Sequence, residues 1–307
     1  MPELPEVETM CRGIADVVGR TIEAVETPPC ACRPCTIEPT VEKMHQHLVG
    51  RSVRAIERRG KRVMLRFDDD ERLVIEPRMS GLVLLTDPPS VDHLRLRIRF
   101  CGRDSSADAK ATSKSKPRAA TKKPDADGIE LLVWDRRGLG TIRLLSQSEF
   151  AEQIDSRLGV DALQIDVAGL RRKLDASSRA IKVALLDQTV LAGIGNLYAA
   201  EILFVAGVDP RLPCNKLSGP QWTRLHAAIS HVLDDAIVHE GSTLSDGTYR
   251  NVLNDPGGYQ NMHRVYDRKG QYCQRCTKGV INRIVQAQRS TFFCPVCQKR
   301  SGKHASV

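Results

Sequence analysis

The sequence predicts an α+β chain of more than one domain: an N-terminal helix, a β-sandwich or barrel, a helical half, and a small four-cysteine hairpin. Three observations carry this. Short apolar runs separated by turn residues recur up to about residue 145. From about 147 to 240 the apolar residues instead fall three and four apart. Near the end stand two Cys-x2-Cys pairs with seventeen residues between them. A spacing of three and four marks helices, and several short strands with turns between them form a sandwich or barrel.

The opening Met1-Pro2-Glu3-Leu4-Pro5-Glu6 suits a helix start, because proline presets φ and carboxylates complement the positive end of the helix dipole. Val7, Met10, Cys11, Ile14, Val17 and Val18 recur at helical spacing, with Gly19 as the expected stop. From there to about 145 the chain reads as strands. His93–Phe100 alternates apolar and basic residues, the pattern of an antiparallel strand with one wet face. Val63–Phe67, Leu73–Ile75, Leu82–Leu85, Leu131–Trp134 and Thr141–Leu145 are similar runs. Residues 103–128 break the pattern. They are rich in Ala, Ser, Lys and Pro, carry no large apolar side chain, and are expected to form a disordered insertion.

Helices are expected over Ala180–Leu191, Asn196–Ala206 and Gly219–His239. Between the first two, Ala192-Gly193-Ile194-Gly195-Asn196 predicts a tight turn and a helix start capped by Asn196. Such a turn is either a phosphate cradle of glycines and free N–H groups or a plain helix–turn–helix corner. The expected domains are 1–146, 147–260 and 261–300, with a disordered tail at 301–307.

Cys273, Cys276, Cys294 and Cys297 form the paired Cys-x2-Cys motif. Four thiolates complete a tetrahedral zinc site and leave no open position, so one structural Zn2+ is expected, held on a hairpin of Val280–Gln286 and Ser290–Phe293. The hairpin presents Arg283 and Arg289. Cys30, Cys32 and Cys35 cluster elsewhere without a second pair to complete a site and read as a loop feature.

The charge is uneven. The chain is +9 overall, and residues 250–307 hold eleven Lys/Arg against two Asp, so this segment accounts for the whole excess. A basic module on a neutral body points to a phosphate-rich partner. No apolar run approaches the ~18–20 residues that span a bilayer, and the acidic start is unlike a signal peptide. A cytoplasmic protein with mostly reduced cysteines and no membrane contact is expected.

The start also carries chemistry. Removal of Met1 would leave Pro2 with a free secondary amine, and α-amino groups have a pKa of about 7.7–8. Such an amine attacks an electrophilic carbon such as a sugar C1′, and condensation gives a cationic iminium, an electron sink. Glu3 beside it and Glu6 one turn on offer proton donors.

Together these pieces resemble the formamidopyrimidine-DNA glycosylase family of base-excision repair enzymes. The resemblance rests on Pro2–Thr9, Arg59-Gly60-Lys61, Met79-Ser80-Gly81, Asp187-Gln188, Gly193–Glu201, Val265–Gly270 and Gln288–Cys294, in that order along nearly the whole chain. It implies an N-terminal β-sandwich, a helix-two-turn-helix domain and a zinc finger. It implies a monomeric DNA glycosylase and abasic-site lyase, nucleoid-associated, acting on double-stranded DNA that contains oxidised bases such as 8-oxoguanine or ring-opened purines. Pro2 would be the nucleophile and Glu3 the acid, with Lys61 near the lesion and its phosphate. Glu6 would line the pocket, and Asn196 and Arg289 would contact phosphates. Met79, Arg137 and Leu139 would fill the space left by the flipped base. The chain departs from the pattern in two places: Asp135-Arg136-Arg137-Gly138-Leu139-Gly140 has Leu139 where the family has phenylalanine, and Glu76-Pro77-Arg78 stands where a His-x-Gly is usual. Two alternatives stay open at this point, an endonuclease VIII-like enzyme for oxidised pyrimidines and a damage-binding protein that does not cut.

Overall fold

The computed structural model describes residues 2–101, 128–244 and 247–299. The expected insertion, apart from Gly128, and the expected tail at 301–307 lie outside the described residues. Helix α1 (Leu4–Gly13) opens the chain. It stops well short of Gly19. A Cβ at Gly13 would overlap Val252, so the backbone closes on that side chain and continues as a 3-10 turn, Ala15–Val17. Ile14 and Val17 are still fully buried, which is why the apolar spacing runs past the helix end.

β1 (Ile22–Glu26) and β2 (Thr36–Glu38) follow, and then a helix, α2 (Val41–Leu48), where the sequence reading expected only strands. Val41, Met44 and Leu48 stand three and four apart, and Met44 and Leu48 bury themselves against the sandwich. The chain then runs through β3 (Ala55–Arg59), β4 (Arg62–Arg66), β5 (Arg72–Glu76), β6 (Gly81–Leu84), β7 (Leu94–Phe100), β8 (Ile129–Asp135) and β9 (Thr141–Leu145). Two sheets result, ordered β1-β7-β8-β6 and β2-β9-β5-β4-β3, antiparallel throughout except for the β2–β9 pair. They pack face to face as a β-sandwich around Val63, Leu65, Leu73, Ile75, Ile98 and Leu131. One expectation for β7 fails. The register shifts between Leu94 and Leu96, and Arg95 turns inward, 3 % exposed, to donate to the Asp135 carbonyl from Nε and Nη2 at 2.9 and 2.8 Å.

The second half holds α3 (Gln147–Gln153), β10 (Val160–Asp161), α4 (Val167–Leu174), α5 (Ile181–Leu185), β11 (Leu191–Ala192), α6 (Asn196–Ala206) and α7 (Gly219–Val238). The helix expected over Ala180–Leu191 is cut to α5. Asp187 takes the Thr189 N–H and hydroxyl on Oδ1, and Gln188 spans the turn to the Ile194 carbonyl and the Gly193 N–H. Side chains that satisfy a turn compete with helix continuation, and Leu191-Ala192 instead pairs in parallel with β10. Helix α6 is buried nearly all round, as its lack of a polar face requires.

Helix α1 joins the two cores: Leu4 packs into the helical one, and Val7, Met10 and Ile14 into the sandwich. Beyond α7 lies a hairpin of β12 (Asn282–Gln286) and β13 (Arg289–Phe293), whose Phe292 shares a small core with Phe204 and Ala200 of α6. Among the described residues no helix is long and apolar enough to cross a membrane.

Candidate active site

Because α1 lies between the cores, its first residues meet the N-terminus of α6. Leu4 donates its N–H to the Gly193 carbonyl at 3.0 Å. Glu3, 4 % exposed, accepts from the N–H groups of Gly195 (2.7 Å), Leu197 (3.0 Å) and Tyr198 (3.4 Å). These are the unpaired donors at the positive end of the helix. The expected phosphate cradle is thus filled by a carboxylate from the chain itself. Gly195 is required by this approach, since a Cβ there would overlap the Glu3 carboxylate.

Glu6 lies alongside. Its Oε2 accepts the Glu3 N–H at 2.8 Å, and its Oε1 accepts the Tyr198 hydroxyl at 2.5 Å and the Ser242 N–H at 2.9 Å. Burial, and then the neighbouring Glu3, push the Glu6 carboxyl above its usual range, against the pull of those three donors. Pro2 is buried at the head of the same helix.

Lys61 occupies the tight turn between β3 and β4, where Gly60 has φ +58. Burial is the largest cause of a lowered Lys61 ammonium; Glu3 and Glu6 oppose it and Arg289 and Arg62 add to it. Lys61 therefore feels both carboxyls and the hairpin arginine at once.

A cleft of about 460 Å³ opens here, and Glu3, Glu6, Met79, Asn196 and Arg289 all line it, with Ser242 and Tyr249 on its wall. Two helix starts, the turn before β6 and the β12–β13 hairpin thus bring five of the expected site residues together. Asn196 does not cap α6; Gly195 does, and Asn196 is the first helical residue. Its Oδ1 instead accepts from Lys182 Nζ at 2.6 Å. Lys182 was not foreseen. It is fully buried and spends its other donors on the Ser290 carbonyl (2.9 Å) and Thr291 Oγ1 (2.8 Å), tying the α6 turn to the hairpin, and burial brings its pKa down to about 8. Its only signal was a lysine among apolar residues at helical spacing. Ser242 and Tyr249 carried no signal, and Tyr198 stood only as part of the Gly193–Glu201 motif.

Arg137 and Leu139 do not line the cleft. Arg137 Nη1 lies 3.2 Å from Met79 Sδ, at the cleft rim. Both segments hang on Asp135: its Oδ1 accepts the Ser80 hydroxyl and the Arg137 N–H, and its Oδ2 the N–H groups of Leu139 and Gly140. Leu139 is partly exposed.

At the far end Cys273, Cys276, Cys294 and Cys297 bring four Sγ atoms within 4.8 Å of one another. The Cys273–Cys297 and Cys276–Cys294 pairs are each 3.8 Å apart. A tetrahedron with zinc–sulfur bonds of about 2.3 Å has edges of about 3.8 Å, so the donor set fits zinc. Backbone N–H groups of Gly279 and Cys297 point at Cys276 and Cys294 Sγ, the outer contacts a thiolate site needs.

The family model for the formamidopyrimidine-DNA glycosylase N-terminal domain matches residues 1–142, and that for the formamidopyrimidine-DNA glycosylase H2TH domain matches residues 158–248. The chain belongs to the formamidopyrimidine-DNA glycosylase family. It is 36% identical to the formamidopyrimidine-DNA glycosylase of Chloroflexus aurantiacus over 302 residues, covering 97% of this chain and 98% of that one. It is 35% identical to that of Bacillus subtilis over 306 residues, covering 98% and 100%. Among solved structures it resembles the Lactococcus lactis glycosylase in complex with DNA containing Fapy-dG, with TM-score 0.76 and 31% identity over 97% of this chain and 100% of the other. The same enzyme with DNA containing an abasic site gives TM-score 0.77. The four-cysteine cluster is the structural zinc finger of this formamidopyrimidine-DNA glycosylase family member.

Proposed function

We propose that this chain is a bifunctional DNA glycosylase and abasic-site lyase that removes oxidised purines, formamidopyrimidines among them, from duplex DNA. The observation that carries the reading is the seating of Glu3, beside Pro2, on the α6 N-terminus, next to Glu6, in a cleft shared with Arg289. Its site is DNA in the cytoplasm, at the nucleoid.

In this reading the lesion is flipped into the cleft. The freed Pro2 nitrogen bonds to C1′ as the glycosidic bond breaks, and the base leaves with the bonding pair and takes up the proton that the Pro2 nitrogen sheds. Glu3 gives a proton to the sugar ring oxygen, which opens the ring and leaves an iminium on Pro2. Loss of a proton from C2′ expels the 3′ phosphate, and a second elimination expels the 5′ phosphate. Lys61 steadies the lesion phosphate. Arg289 and the Asn196 amide take backbone phosphates; Asn196 Oδ1 is occupied by Lys182, so its NH2 is the group left to donate. Met79, Arg137 and Leu139 fill the vacated stack, with Leu139 in place of the family's aromatic wedge. The zinc, held by four cysteines with no open position, supports the hairpin and takes no part in the chemistry.

Sodium borohydride reduces an iminium to a stable amine. With lesion-bearing duplex it should trap a covalent adduct at Pro2. Glu3→Gln should still bind the duplex and lose base release. An adduct on an internal lysine, or none from protein that cleaves, would overturn the assignment of Pro2.

A further inference from the structure

Three buried carboxyls are joined in one closed circuit. Glu3 sits on the α6 N-terminus. Further along the same helix Glu201, fully buried, accepts the N–H groups of Arg264 (2.9 Å), Val265 (2.9 Å) and Tyr266 (2.8 Å), and so fixes the segment that leads to the zinc hairpin. The residue just before that clamp is His263, 7 % exposed, with its ring edge-on to those of Tyr259 and Tyr266 at 5.8 and 5.7 Å. His263 Nε2 meets Ser242 Oγ at 3.0 Å. The Ser242 N–H donates to Glu6, and Glu6 accepts from the Glu3 N–H, which closes the ring.

We infer that His263 is a positioning residue for base excision: through Ser242 it holds the Glu6 carboxyl in place against Glu3. This rests on the base-excision reading above. The physical argument concerns the Ser242 hydroxyl. A buried hydroxyl must have a partner. The Tyr198 hydroxyl, which is also a donor to Glu6, already lies within reach of the same Ser242 side chain, and without the imidazole Ser242 would turn wholly to it. Loss of His263 would then disturb two of the three donors that hold Glu6. The wall itself would stay attached, because Gln260 Oε1 independently accepts the Thr243 N–H at 3.0 Å. The effect should fall on seating the base and spare the later step, since an abasic sugar brings no base to the wall.

The test uses the full-length zinc-loaded protein with His263→Leu, which keeps an apolar side chain in the space, and His263→Gln, which returns a polar atom near the position of Nε2. Leu should slow single-turnover release of a formamidopyrimidine base about tenfold, the kinetic weight of roughly one hydrogen bond. It should leave cleavage of a preformed abasic site within about twofold. Gln should recover most of the loss. Independently of activity, amide hydrogen exchange across residues 241–244 should rise about tenfold in the Leu variant and fall back with Gln. Equal loss in both chemical steps, no loss, no recovery with Gln, or unchanged exchange would each overturn the role of His263. A wild-type chain that releases no base would instead refute the base-excision reading, and the exchange measurement would still decide whether His263 holds the wall.

Discussion

Glu3 and Glu6 stand three residues apart and meet different surroundings. Glu3 takes three N–H groups from one helix end; Glu6 is enclosed, beside another carboxyl, and pushed up. His263 belongs to the same scale. Burial, with Arg268 and Arg264 adding to it, takes its imidazole from 6.5 down to about 4. Tyr259, Tyr266 and Ser242 face it without charge, and Glu6 lies beyond Ser242. Between pH 4 and 6.5 the unfolded chain therefore binds a proton that the folded chain does not. The stability from neutral His263 is complete above that window and is lost as pH falls through it. At about 1.4 kcal/mol per unit, the loss is on the order of 3 kcal/mol. Urea unfolding of wild type and His263→Leu across this window should show the wild-type advantage shrinking toward low pH. A constant gap would mean that His263 titrates normally.

At the scale of elements, the decisive join is the α1 start on the α6 start. Gly195 has an extended backbone, φ −126, so alanine there meets no conformational strain and acts only through its methyl group against Glu3. Gly195→Ala should fold, bind lesion duplex within a few-fold, and lose base release by about 100-fold or more, the scale on which a displaced catalytic proton donor is felt. Release near the wild-type rate would show that Glu3 does not need this helix end. Elsewhere the elements depart from the sequence pattern for local reasons. Asp187 and Gln188 end α5 by satisfying their own turn, and the β7 register shift takes Arg95 from the wet face into the core.

At the scale of the molecule, Arg58 bolts the sandwich to the helical half. From β3 its guanidinium reaches Glu8 of α1 at 2.8 Å and both oxygens of Asp161 on β10, at 2.6 and 3.0 Å. The Asp161 side chain is 4 % exposed. Removing one partner of a buried pair leaves an uncompensated charge and costs about 3–5 kcal/mol. Arg58→Met should therefore lower unfolding stability by that amount. It should also slow base release, because Gly60 of the Lys61 turn donates to the same Asp161 carboxylate at 3.3 Å. A drop under about 1 kcal/mol would show that the bolt is solvated.

The local grammar of the chain was legible from residues alone. Thr141–Leu145 and Asn196–Ala206 form as read, Gly219–His239 ends one residue early, and the two Cys-x2-Cys pairs meet as one cluster. Each is set by nearby side chains: an apolar period, a turn residue, a knuckle spacing. The chemistry proposed at Pro2 and Glu3 is argued from neighbouring residues for the same reason. What only the tertiary structure decided is which distant donors meet. Nothing local says that the Gly195 cradle holds Glu3 and not a phosphate, that Lys182 joins Asn196 to the hairpin, or that His263 reaches Ser242. Those pairings arise because α1 packs into both cores at once and brings the two helix starts and the hairpin linker to one place. Once they are out of water, each donor and carboxyl must take whatever partner the packing has put beside it.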